Sequence, residues 1–121
     1  MFVMAITFYH YPKCGTCRKA KKWLEEKGIE VNDVHIVENP PTKDELKIMV
    51  ENSGLDIKKF FNTSGKKYRE LNVKEKLPTM TEDEALELLA SDGMLIKRPI
   101  TTDRKKVTVG FKEDLFEQNW K

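Results

Sequence analysis

Apolar residues along this chain change their spacing from segment to segment, and the changes mark out its elements. Residues 3–9, VMAITFY, are rich in Val, Ile, Phe and Tyr without a clean alternation, the pattern of a strand buried on both faces. Pro12 and Gly15 interrupt that run. From Thr16 onward, Ala20, Trp23, Leu24 and Lys27 recur at helical spacing, and Gly28 stands where it would end that helix. IEVNDVHIV (29–37) reads as a second strand, stopped by Asn39-Pro40-Pro41. Strand, helix and strand in this order favour a parallel pair joined by a right-handed crossover.

The middle of the chain has a different rhythm. Thr42 with Glu45 forms a capping box, and Leu46, Met49 and Val50 make an apolar stripe that runs to Gly54. Ile57, Phe60 and Phe61 predict a short second helix, and KKYRELNV (66–73) a third that ends before Pro78. Thr81 with Glu84 repeats the capping box, and Ala85, Leu88 and Leu89 carry that helix to Gly93. Strand character returns in MLIKRPITT (94–102) and KKVTVGF (105–111), with Asp103-Arg104-Lys105 as the turn of an antiparallel hairpin. KEDLFEQNW (112–120) supplies a last helix, with Leu115, Phe116 and Trp120 on one face. The expected order is βαβ, a helical insert, then ββα. Residues 1–121 are expected to form one α/β domain with a mixed sheet, in which 1–40 and 94–121 build the core and 41–93 the insert.

Composition narrows the function classes. A chain of 121 residues with 39% hydrophobic and 35% charged residues suits one globular domain with a heavily charged surface. No stretch approaches the roughly 18 apolar residues of a membrane span, and MFVMAITFYHY lacks the basic start of a secretory signal. The expectation is a cytoplasmic protein with no membrane partner, and a monomer. A net charge of +2 does not point to nucleic acid. Locally, Lys13, Arg18, Lys19, Lys21, Lys22 and Lys27 outnumber Glu25 and Glu26, which is either a solvated helix face or positive potential beside the cysteines.

Those cysteines, Cys14 and Cys17, are the only two, and they open the first helix. The nucleophile of thiol chemistry is the thiolate. Cys14 would sit just before a helix N-terminus, where free N–H groups and the macrodipole favour an anion, and Lys13 and Arg18 add positive charge. Cys17, one turn on, is placed to resolve a mixed disulfide. A Cys-x-x-Cys inside a βαβ unit reads as redox. Two alternatives stand beside it: inert buried thiols, and a zinc site completed by His10 and His35. The histidines flank the cysteines singly rather than as a compact pair, so the redox reading leads and no metal is expected.

The chain also resembles the ArsC/Spx family, a thioredoxin-like group containing arsenate reductases and the Spx transcription regulators. The resemblance rests on YHYPKCGTCRKAKKWLEEKGIE, ENPPTKDEL and LIKRPI, in that order, and covers nearly the whole chain. It implies a thioredoxin-like βαβ–ββα sheet with a helical insert between the halves. It maps Cys14 to the catalytic or redox-sensing cysteine, Arg98 to the arginine before the family's cis-proline, and Pro99 to that proline. Cys14, Cys17 and Arg98 are then the expected catalytic residues, with Lys13, Thr16, Arg18 and Pro99 as binding residues and a Cys14–Cys17 disulfide as the oxidised state. A guanidinium there would hold a thiolate, an oxyanion or a carboxylate.

The departures from the family pattern shape the function expected. ArsC-type arsenate reductases hold their oxyanion with three arginines, and only Arg98 has a counterpart here. Asn62 stands near the second position, with Lys58, Lys59 and Lys66 around it, and Lys112 lies near the third. Each lost charge-assisted contact costs about 1.5–3 kcal/mol of oxyanion binding, which argues against arsenate reduction. Cys17 is a feature of the Spx switch and is absent from glutathione- and glutaredoxin-dependent arsenate reductases. The resemblance therefore implies a thiol–disulfide oxidoreductase without a bound cofactor, served by glutathione, glutaredoxin or thioredoxin. Its alternative is a redox-responsive regulator that binds the C-terminal domain of the RNA polymerase α chain, with Gly54 a candidate for part of that surface.

Overall fold

The computed structural model describes residues 6–103 and 105–120. Strand β1 (Ile6–His10) pairs in parallel with β2 (Val31–His35), and helix α1 (Gly15–Glu26) makes the crossover. Strand β3 (Ile100–Thr102) runs antiparallel to both β1 and β4 (Val107–Val109), so the sheet has the order β2-β1-β3-β4. Residues 3–5 of the expected first strand and Arg104 of the expected turn lie outside the described residues.

The composition of β1 is matched by its surroundings. Phe8 belongs to a cluster with Ala20, Trp23, Leu24, Phe116 and Trp120, built by α1 and α6 (Glu113–Asn119). Tyr9, the next residue and so on the opposite face of the strand, belongs to a larger cluster with Leu46, Met49, Phe60, Leu86 and Leu89 of the insert. The sheet therefore separates two cores, one under each layer.

The insert holds α2 (Lys43–Ser53), a 3₁₀ turn at Ile57–Phe60, α3 (Lys66–Glu70), α4 (Val73–Lys76) and α5 (Glu82–Ser91). Both capping boxes form. The Glu45 N–H donates to Thr42 Oγ1 at 3.1 Å and the Thr42 N–H to Glu45 Oε1 at 2.9 Å, with the same reciprocal pair at Thr81 and Glu84. The single helix expected over 66–73 is two, because Asn72 adopts a left-handed conformation (φ 55°) between them. On α5 the buried face is Ala85, Leu86 and Leu89, with Leu88 at its flank.

The strand expected from Met94 begins only at Ile100. Asp92 accepts a hydrogen bond from the Met94 N–H at 2.8 Å and starts a 3₁₀ turn at Gly93–Leu95. Ile96 then makes a lone bridge to Phe61, and Pro99, which has no N–H to give a ladder, precedes the first paired residue. The turn and the proline bring residues 97–99 to the mouth of the sheet, beside the start of α1.

Candidate active site at the start of helix α1

Cys14 is the N-cap of α1, extended at φ −87° and ψ 118°, and its Sγ accepts the Cys17 N–H at 3.4 Å. The first amides of a helix have no intrahelical acceptor, so a sulfur placed there meets donors rather than carbonyls. The loop before it is held by the Cys14 N–H donating to the Tyr11 carbonyl at 2.9 Å, and by Arg18 Nε donating to the Pro12 carbonyl at 3.0 Å.

The two thiols have opposed environments. Burial alone pushes the half-buried Cys14 thiol up. The Cys17 side chain and N–H, the Arg98 guanidinium and the Thr16 N–H outweigh it and hold Cys14 below the ordinary value of 9.0. Cys17 is only 2% exposed, and burial, reinforced by the adjacent Cys14, drives its thiol up to about 12. At neutral pH the first is the better nucleophile and the second stays protonated.

Arg98 precedes Pro99 across a cis peptide bond, and its Cζ lies 5.0 Å from the centre of the Tyr11 ring. Arg98 Nε and Nη1 are buried and have no hydrogen-bond partner. Unpaired buried donors on a charged group are costly, so this guanidinium suits an acceptor brought by a ligand. Pro99 is buried behind it and its carbonyl accepts the Gly110 N–H at 2.8 Å, which ties the arginine's loop to the end of β4.

Cys14, Thr16, Arg98 and Asn62 line one cleft of about 940 Å³. The structure thus gathers Cys14, Thr16 and Arg98, with Cys17 directly beneath Cys14. Lys13 and Arg18 do not line that cleft. Lys13 is exposed, Arg18 is tied to Pro12, and the cation that acts on the Cys14 sulfur is Arg98. Sequence reasoning missed the Tyr11 stack and Lys97, although both sit inside the motifs it singled out. Tyr11 lies in YHYPKC, and Lys97 is the neighbour of Arg98.

The histidines named for zinc are occupied elsewhere. His10 stacks on Phe8 and lies 3.7 Å from Asp33, while His35 Nδ1 accepts the Val37 and Glu38 N–H groups at 3.3 and 3.2 Å. Among the described residues, no three His, Cys, Asp or Glu side chains converge as a metal's ligand set. Nor is any described helix long and apolar enough to cross a membrane.

A model of the ArsC family matches residues 9–119. The chain belongs to the ArsC family. It is 76% identical over 117 residues to YusI of Bacillus subtilis, covering 97% of this chain and 99% of that protein. It is 38% identical over 106 residues to the regulatory protein MgsR of the same organism, covering 88% of this chain and 82% of MgsR. The crystal structure of an ArsC family related protein from Bacteroides fragilis superposes with a TM-score of 0.92 at 51% identity, covering 95% of this chain and 97% of that one. The thioredoxin-like ArsC fold expected from the motifs is the fold found.

Proposed function

We propose that this ArsC-family chain is a thiol–disulfide oxidoreductase in which Cys14 attacks and Cys17 resolves. The observation that carries the reading is the split between the two thiols. Cys14 is capped by helix amides, neighboured by Arg98 and held below its ordinary value, while Cys17 is buried one turn away and held protonated. In the first step the Cys14 thiolate attacks one sulfur of a substrate disulfide. A Cys14–substrate disulfide forms, the old S–S bond breaks, and the departing sulfur leaves as a thiolate that takes a proton from water. That bond removes the negative charge of Cys14, and with it one of the influences that raised Cys17. Cys17 then gives up its proton and attacks Cys14 Sγ, which releases the second substrate thiolate. Two electrons have passed to the substrate, and the chain holds a Cys14–Cys17 disulfide. An external dithiol, or two equivalents of a monothiol, returns the two electrons; glutathione, glutaredoxin and thioredoxin are of the right chemical class. The cycle takes no metal or organic cofactor and belongs in a reducing cytoplasm.

The test is a single-turnover reduction of a disulfide-bonded peptide by reduced protein. Wild type releases both thiols, Cys14→Ser releases none, and Cys17→Ser stops at a covalent adduct on Cys14, visible by mass. Unchanged release by Cys14→Ser would end this reading.

A second reading is favoured by the 38% identity to a protein named as regulatory. In it the same dithiol is a switch controlling contact with the C-terminal domain of the RNA polymerase α chain. A pull-down with that domain, using reduced and oxidised protein, separates the two. Capture in only one redox state supports the switch, and none in either removes it.

A further inference from the structure

The wall of the Cys14 cleft differs in charge from the rest of the molecule. The chain as a whole is nearly balanced, with 22 Lys and Arg against 20 Asp and Glu. Around the cleft, Lys59, Lys66, Lys97, Arg98 and Lys112 contribute to the lining, and among the described residues no Asp or Glu does. These cations come from separate parts of the fold: the 3₁₀ turn after α2, the start of α3, the loop before β3 and the N-cap of α6. They are therefore not the solvated stripe of one amphipathic helix.

They are also poorly neutralised. Among the described residues, Lys59, Lys97 and Lys112 have no carboxylate within ion-pair distance, and Lys66 has only a long contact of 3.8 Å to Glu70. Lys97 lies across Gly110, where a Cβ would come within 3.3 Å of its Cε. The bare backbone at Gly110 thus leaves room for that side chain at the cleft edge.

Apolar seats lie between the charges. Leu55 is 41% exposed, one of only two large hydrophobic residues so open among the described residues, and it lines the cleft with Met94, Phe111 and Leu115. At about 940 Å³ the cleft is near the upper end of the roughly 300–1,000 Å³ typical of small-molecule sites. Its cations come from four segments and share the lining with Leu55, Met94, Phe111 and Leu115, a mixture of charge and apolar surface that suits side chains of both kinds.

We infer that this cleft recognises an extended polypeptide segment carrying both acidic and apolar side chains, and presents that segment's disulfide to Cys14. The inference rests on the oxidoreductase reading, and it adds the substrate class that the reading leaves open. Acidic side chains flanking the target cysteine would meet Lys59, Lys97 and Lys112, and apolar neighbours would cover Leu55 and Phe111. Cleft walls of one sign raise the encounter rate of oppositely charged partners.

The experiment uses reduced full-length protein and matched synthetic peptides. Each bears one cysteine in disulfide linkage to thiopyridone, flanked by Glu, Gln or Lys at the same positions. Thiopyridone release is followed in a single turnover. At low ionic strength the Glu peptide should react at least about 10-fold faster than the Lys peptide, and added salt should shrink that ratio as exposed charges are screened. A variant carrying Lys59→Glu, Lys97→Glu and Lys112→Glu together should invert the preference. The readout is the ratio between peptides, so a general loss of activity in the variant cancels. Equal rates for the three peptides, or a ratio untouched by charge reversal, would overturn the inference while leaving the oxidoreductase reading intact. Glutathione disulfide reacting as fast as the Glu peptide would overturn it as well, by showing that a small carboxylate ligand suffices. Release from no peptide would overturn the oxidoreductase reading and this inference with it.

Discussion

Cys14 and Cys17 share one helical turn and owe their difference to where that turn places them. Cys14 is outside the helix, under its amides; Cys17 is inside, against the core. Brief alkylation at neutral pH should therefore modify Cys14 ahead of Cys17, as read by mass spectrometry of the digested protein, with the Cys14 rate half-maximal at a pH below 9.0. Arg98 favours the thiolate, so Arg98→Ala removes a charge that lowers the Cys14 pKa. The pKa rises, the thiolate fraction at pH 7 falls, and alkylation slows. A rate that held or rose would separate Arg98 from the sulfur. The same guanidinium, working without the two further arginines of arsenate reductases, should give weak or no arsenate turnover. Robust turnover lost in Cys14→Ser would show that Lys59, Lys66 or Lys112 supplies the missing charge. What is legible from closeness in sequence at this scale is the cysteine pair and its helix start; the Arg98–Pro99 dipeptide is legible through the family resemblance. The family resemblance also sets Asn62, Lys59, Lys66 and Lys112 near the oxyanion site, and they line the Cys14 cleft, whereas Leu55, Met94 and Lys97 join them only through the packing of distant segments, which no spacing rule encodes.

Elements follow the same division. The two capping boxes are readable because each is a closed local circuit, and both are present. Thr81→Ala should cost about 1 kcal/mol, visible as a fall of about 3–5 °C in Tm, since it takes the acceptor from the Glu84 N–H at the start of a helix whose Ala85, Leu86 and Leu89 are core residues. The segment from Met94 to Pro99 reads as strand because the apolar run Met94-Leu95-Ile96 leads into Ile100-Thr101-Thr102, but that run is held by a turn and a bridge instead. Gly93 lets this turn pack directly against the backbone that follows β2. A Cβ at that position would collide with the Ile36 carbonyl oxygen, a backbone atom with no freedom to swing away. Gly93→Ala should accordingly destabilise by about 1–3 kcal/mol or more, measured by urea unfolding, and should do so more than Gly15→Ala, where a Cβ meets nothing within 4 Å. Equal costs at the two glycines would remove the steric account of this close approach.

At the scale of the whole molecule, the insert and the sheet should unfold as one cooperative unit, because the insert's cluster is completed by residues of the sheet region. Tyr9, Ile36, Ile100 and Val107 of the sheet region complete the cluster made by Leu46, Met49, Phe60, Leu86 and Leu89. On the other face, Phe8 closes a separate cluster with Trp23, Phe116 and Trp120. Phe8 and Tyr9 are consecutive residues of one strand, so disordering either layer exposes the strand that the other layer needs. This arrangement makes the two layers separately visible. Both tryptophans of the chain lie in the α1/α6 cluster, so their fluorescence reports that face, while far-UV circular dichroism draws on the insert helices α2–α5 as well. In urea, the two signals should give coincident transitions with the same midpoint, the mark of two-state unfolding. A dichroism change that precedes the fluorescence change would mean that residues 41–93 unfold on their own, and that Tyr9 and Ile100 do not couple the layers. The Cys14 cleft takes its walls from both the sheet half and the insert, so a shared transition also predicts that Cys14 loses its alkylation advantage over Cys17 at that same urea concentration and not before.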